Sequence, residues 1–299
     1  MSKMTTFVRQ ELLALSRERL PLTLFIVFVS MISVSSFIGW LTKTTVSDVW
    51  IRTREAGLTS AANPFANVSP LYYARNSIIY IILIGTLMAI VAGVASALRD
   101  RKAGTVDLIL SRPTSRAEYI FGKLIGISIW LALSLSIVGF IAATVITSIY
   151  GAPLPFPDYL RLAAFFLLAL PLLVGFAAVG LLGGLLSRRE TGALLAPISF
   201  WAFVTFVIPQ IGTAARPVAL LNPVPIPPTP GGPFDALNLL MGPMAVSEQF
   251  KAASGLLLQD PDIAGNLSLA LLSIFAFVVV AALLVSTVKR TSIRGVLSE

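Results

Sequence analysis

Six stretches of the sequence, at about 21–41, 76–98, 124–150, 162–187, 191–215 and 264–288, contain no Lys, Arg, Asp or Glu. The hydrocarbon core of a bilayer, about 30 Å thick, is crossed by roughly 20 apolar residues at a helical rise of 1.5 Å each. Each stretch meets that length, which defines an all-α integral membrane protein with six transmembrane helices. Only 12% of the residues are charged, about half the share of a soluble domain. A single transmembrane domain over 1–299, with no soluble domain attached, is the expected organisation.

Several chemistries are excluded by inventory. The chain has no Cys and no His, which removes disulfides, thiolate and imidazole metal ligands, and Ser-His-Asp triads. Ion-coupled carriers usually keep ionisable side chains within the bilayer, and the six runs hold none. Sodium coupling through carbonyls and hydroxyls stays open. No phosphate-binding loop is present, because Gly122-Lys123 is followed by Leu and lacks the preceding glycine-rich turn. The runs offer only Ser, Thr, Tyr, Asn and Gln as polar side chains, which argues against a membrane hydrolase. No catalytic, metal or cofactor site is expected in this chain.

The net charge of +8 comes from basic residues at the borders of the apolar runs. Nucleic-acid binding would need them clustered on one face, and so is not expected. Placing 1–20, 99–123, 188–189 and 289–299 in the cytoplasm gathers fifteen of the 22 Lys and Arg there, and cytoplasmic loops retain positive charge. Both termini are therefore expected inside. The first external loop, 42–75, is polar, and its Lys43, Arg52, Arg54 and Arg75 make it more basic than the rule favours. About twenty charged, amphipathic residues precede the first run and no A-x-A site follows it, so it reads as a retained helix rather than a signal peptide. Residues 1–20 suit a helix lying at the cytoplasmic surface.

The long external loop, 209–263, holds ten of the nineteen prolines. Leu221–Pro233 must be extended there, whereas Phe234–Leu258 has the spacing of short amphipathic helices lying on or dipping into the outer leaflet.

The cytoplasmic loop 99–123 is built in two pieces. Thr105–Ser111 can form two apolar turns parallel to the membrane, stopped at Arg112-Pro113. Ser115 with Glu118 three residues later is a capping box that restarts the chain as a helix, placing Arg116 and Lys123 near the headgroups.

The pattern Gly104-Thr105, Leu108-Ile109-Leu110-Ser111, Arg112-Pro113, Arg116 and Gly122-Lys123-Leu124-x-Gly126 resembles the cytoplasmic signature of type-2 ABC (ABC-2) permeases, especially the nitrous-oxide reductase maturation group. Arg9-x-Glu11-Leu12 with Arg17-x-Arg19, and Leu221-Asn222-Pro223, are similar to further elements of that family. Acidic residues usually precede the Gly-Thr pair in the family; here Arg99, Asp100, Arg101 and Lys102 stand instead.

The resemblance implies a permease subunit of an ABC exporter, paired as a homodimer or with a second permease; with no targeting segment other than the first span, a prokaryotic plasma membrane is the expected location. Separate ABC ATPase subunits would bind ATP and Mg. Gly104, Thr105, Leu108, Ile109, Arg112, Pro113, Arg116 and Glu118 would form the ATPase-coupling interface, with the second and fifth spans near the dimer axis. An external accessory protein is a further candidate partner. Two alternatives stand beside this reading: the same fold transmitting ATPase motion to an external partner without moving a substrate, and an ion-coupled carrier or channel.

Gly85, Ala89, Gly93 and Ala97 repeat every four residues, placing small side chains in one stripe that admits close helix approach. The partner is a helix of the same chain, a second subunit or the wall of a substrate path. Ser30, Ser33, Ser35, Ser36, Ser128, Ser134 and Ser136 either line a polar path or bond back to their own helix. Pro171 and Pro197 are expected to bend the fourth and fifth spans.

Overall fold

The computed structural model describes residues 3–63, 68–102, 115–187, 189–211, 213, 221–227, 231–263 and 265–288. Helix α1 (Lys3–Leu15) precedes span 1, which is α2 (Arg19–Glu55). Span 2 is composite: a 3-10 turn (Pro70–Ala74), α3 (Ser77–Tyr80), a π turn (Ile81–Gly85) and α4 (Thr86–Lys102). Spans 3 and 4 are α5 (Arg116–Tyr150) and α6 (Phe156–Leu186). Span 5 begins as α7 (Glu190–Ala202), then passes through a π turn (Phe203–Val207) and a 3-10 turn (Ile208–Gln210). Two short helices, α8 (Pro233–Met241) and α9 (Val246–Leu257), lead to span 6, α10 (Leu267–Thr287). Six of these rods are long and apolar enough to cross a membrane, so this is a multi-pass membrane protein. Ala97, Tyr119, Leu185 and Val285 share one cluster, bringing the close of spans 2, 4 and 6 and the start of span 3 to one end, beside α1.

Each expected run maps onto one rod, with instructive differences at the ends. Span 1 continues to Glu55, so much of the expected 42–75 loop is helix. Its 37 residues reach roughly 55 Å, well beyond a 30 Å core. Nothing between Gly39 and Gly57 breaks a helix, and Gly57, at φ +71°, ends it. There Gly57 N–H donates to Arg54 O and Leu58 N–H to Thr53 O, a Schellman closure. Trp50 Nε1 donates to Ala61 O at 2.9 Å and holds the returning chain. Span 5 leaves helical geometry at Gln210, because Pro209 has no N–H to continue it. Asn266 caps span 6 by accepting from Ser268 N and Leu269 N.

Spans 2 and 4 form the centre: 67% and 61% of their apolar windows are buried, against 22% for span 1. Their seam explains the small-residue stripe. A Cβ on Gly93 would lie 2.2 Å from Ala177 O, one on Gly180 2.2 Å from Ile90 O, and one on Gly184 2.5 Å from Ala97 Cβ. Ala89 and Ala97 are buried in the same face, while Gly85 meets Leu173 and Phe28 more loosely. Backbone approach this close yields the dispersion contacts that drive association where lipid removes the hydrophobic force.

Ser33, Ser36, Ser128, Ser134 and Ser136 donate to carbonyls one turn back on their own helices. Pro197 fills a notch over Gly183, where a Cβ would sit 2.2 Å from its ring. In the long loop, α8 buries no residue, whereas α9 buries most of one face among spans 4 and 6. Phe250 of α9 stacks on Phe165 at 6.2 Å. This second helix is thus a part of the bundle rather than a surface helix on the leaflet.

Candidate functional site at the α1 end

Helix α1 lies across the start of span 3 because two glycines there leave room for it. A Cβ on Gly122 would come within 2.8 Å of Phe7 Cβ, and one on Gly126 within 2.6 Å of Glu11 Cβ. Phe7 packs edge-on to Tyr119 at 5.8 Å. The inward stripe of α1 therefore runs from the partly buried Phe7 through Glu11 to Leu15 and carries a carboxylate at its centre, with Glu11 only 2% exposed.

A buried carboxylate needs partners, and spans 2 and 3 supply them. Lys123 Nζ reaches Glu11 Oε2 at 3.2 Å and Asp100 Oδ2 at 2.9 Å. It also donates to Ser96 O at 2.7 Å. Tyr119 OH donates to Asp100 Oδ2 at 2.7 Å. Arg99 donates through Nη1 to Glu11 Oε1 at 2.9 Å and through Nε to Glu18 Oε1 at 2.6 Å. Lys123, expected near the headgroups, is instead 3% exposed; α1 covers it, and two carboxylates hold its charge.

Of the expected coupling residues, Gly104, Thr105, Leu108, Ile109, Arg112 and Pro113 lie outside the described residues, as does the Arg116 side chain. Glu118 closes the capping box: Ser115 Oγ accepts from Glu118 N at 3.1 Å and Glu118 Oε2 accepts from Ser115 N at 2.8 Å. The anchors on either side of 104–113 are thus fixed. Asp100 and Arg99 before it, and Tyr119 and Lys123 after it, tie spans 2 and 3 to α1 and to the start of span 1 through Glu18. The sequence signal for this hub is Glu11 in the middle of an apolar helical stripe, a position that requires a buried cation.

The far end holds a second charged cluster. Arg75 Nε forms an ion pair with Asp260 Oδ2 at 2.7 Å and Nη2 donates to Asp262 Oδ2 at 3.0 Å, joining span 2 to the chain before span 6. Burial pushes the Asp260 carboxyl above the ordinary aspartate range, more than Arg75 draws it down. Lys43 lies over the Tyr73 ring and Arg54 over Trp50. Lys43, Arg54 and Arg75 of this loop are therefore matched by acids or ring faces. Asn222 and Pro223 of the Leu-Asn-Pro element line a recess of about 310 Å³ with Gly39, Thr42, Tyr72, Arg75 and Asn76.

The hub fastens both anchors of the loop to several spans of a multi-pass membrane protein. The model of the ABC-2 family transporter proteins matches residues 6–241, and the chain belongs to that family. It is the membrane-spanning permease subunit of an ABC transporter, a class that works with separate ABC ATPase subunits. Comparison with curated proteins gives no match.

Proposed function

We propose that two copies of this permease pair in a prokaryotic cell membrane with their α1 ends in the cytoplasm, and that two ATPase subunits bind ATP and Mg and drive export. The ATPase docks on residues 104–119 and against the exposed side of α1. Closure of the ATPases pushes the loop, and the hub passes the displacement to spans 1, 2 and 3. The observation that carries this reading is the pair of ion-paired anchors, Asp100 and Lys123, which join the two sides of the loop directly. The Lys and Arg distribution supports the orientation. The export direction and the likeness to the nitrous-oxide reductase maturation group rest on the loop motifs.

The test is purification of the permease from its native host, comparing the intact chain with Leu108→Asp/Ile109→Asp. A nucleotide-binding subunit should accompany the intact protein and be lost from the folded variant. An intact permease purified without any ATPase, from membranes that retain it, would contradict the proposal.

A further inference from the structure

Spans 2 and 5 both leave α geometry inside the membrane, over Ile81–Gly85 and Phe203–Val207. A π turn inserts one residue into a helix and leaves a backbone group short of its partner. In span 2, Thr86 N–H donates to Ile81 O and Leu83 O, so the Ile82 carbonyl lacks the donor that an α-helix would give it. An orphan carbonyl is costly in hydrocarbon, and two side chains attend this one. The Thr86 hydroxyl donates to Ile82 O. Trp201 Nε1, from span 5, donates to Thr86 Oγ1 at 2.7 Å and lies 3.4 Å from Ile82 O.

The same Trp201 adjoins the other irregular turn. It stands two residues before it and packs its ring edge-on against Phe206 within it, at 5.4 Å and 88°. In that turn Ile208 N–H reaches back five residues to Phe203 O, and Pro209 has no N–H to restore the α pattern. One indole therefore satisfies the π turn of span 2 and rests on the π turn of span 5.

The π turn of span 2 also separates two fixed bodies. On its α1 side, Gly93 and Ala97 lock the span to span 4, and Asp100 joins the hub. On its far side, Arg75 is clamped to Asp260 and Asp262.

We propose that Trp201, Thr86 and the Ile82 carbonyl form a latch through which spans 2 and 5 change state together. When the indole withdraws, Ile82 O recovers the Thr86 N–H and the π turn becomes α. The far segment of span 2 then turns by roughly 100° and advances by about 1.5 Å relative to the seam. Packed elements switch between discrete arrangements of this kind rather than deforming continuously. ATP as the driving force rests on the function proposed above; the latch itself belongs to the permease alone.

The chain has no cysteine, so Asn76→Cys with Leu160→Cys places spin labels on the far ends of spans 2 and 4 without further changes. Full-length permease in nanodiscs is measured with and without Trp201→Phe, which keeps a ring and deletes the N–H. Thr86→Val and Thr86→Ser are measured beside it. Trp201→Phe and Thr86→Val should raise a second distance population several-fold, and Thr86→Ser, which keeps the hydroxyl, should match the wild type. Distance distributions for Trp201→Phe and Thr86→Val that superimpose on the wild type would overturn the latch.

If the variants fail to fold, the wild-type complex decides. The 76–160 distance should shift between the nucleotide-free and ATP-trapped states, while a Leu98→Cys/Leu186→Cys pair beside the seam stays fixed. An unchanged 76–160 distance in a complex that hydrolyses ATP would overturn the latch and leave the proposed function standing. Absence of an ATPase would sink that function and leave the permease-alone result to judge the latch.

Discussion

Lys123→Met removes the ammonium from the centre of the hub while keeping most of the side-chain volume. Glu11 then keeps its ion pair with Arg99, and Asp100 its hydrogen bond from the Tyr119 hydroxyl, but both lose the ammonium. Both carboxylates that lose a partner are nearly inaccessible, with Glu11 and Asp100 side chains 3% and 6% exposed. Removing one member of a buried ion pair costs about 3–5 kcal/mol, because the remaining charge stays buried with less compensation. Neutralising Asp100 as well relieves that penalty, since Asn at this position still accepts from Tyr119. Lys123→Met/Asp100→Asn should therefore be more stable than the sum of its single changes by up to about 3 kcal/mol.

Reversible unfolding in mixed micelles measures the energies. Amide exchange across α1 serves as a local readout, because loosening of the hub should raise exchange in Lys3–Leu15 first. A Lys123→Met permease within about 1 kcal/mol of wild type, or a strictly additive double variant, would refute the claim that this lysine neutralises the hub.

At the seam, Gly93→Ala pushes a methyl onto immovable backbone and should cost at least about 1–3 kcal/mol, whereas Gly192→Ala, with Ser187 3.8 Å away, should stabilise by roughly 0.5–1 kcal/mol; thermal midpoints in nanodiscs distinguish them. Asp260, its carboxyl raised by burial, binds a proton more readily in the folded state. The stability of wild type relative to Asp260→Asn should be greatest below the ordinary aspartate value and fall as pH rises through the raised one; a midpoint difference independent of pH would oppose this.

The six spans were legible because each is an uninterrupted apolar run whose length alone decides its fate. The Ser115–Glu118 capping box is equally local: two residues three apart complete it. What escaped depends on contacts distant in sequence. The helical continuation from Thr42 to Glu55 is polar, and its returning chain is held by Trp50. Lys123 looks like any basic residue at a membrane border until α1 folds over it, because its two carboxylates stand 112 and 23 positions away. The π turns have no local signature at all, since the Ile82 carbonyl is supported by a tryptophan of another span. The face of α9 that packs on Phe165 has the same amphipathic spacing that a helix on a lipid surface would show.

In the proposed function an ATPase grips this permease at the α1 end. Single cysteines at Ile109→Cys in the loop, Gln10→Cys on the exposed side of α1 and Leu239→Cys at the far end, in an otherwise cysteine-free chain, allow it to be tested in native membranes with a short thiol-directed photo-cross-linker. Adducts with a nucleotide-binding subunit from Ile109→Cys and Gln10→Cys, and none from Leu239→Cys, are the expected result. ATPase adducts at the far end, or none at the α1 end of a correctly inserted permease, would contradict it.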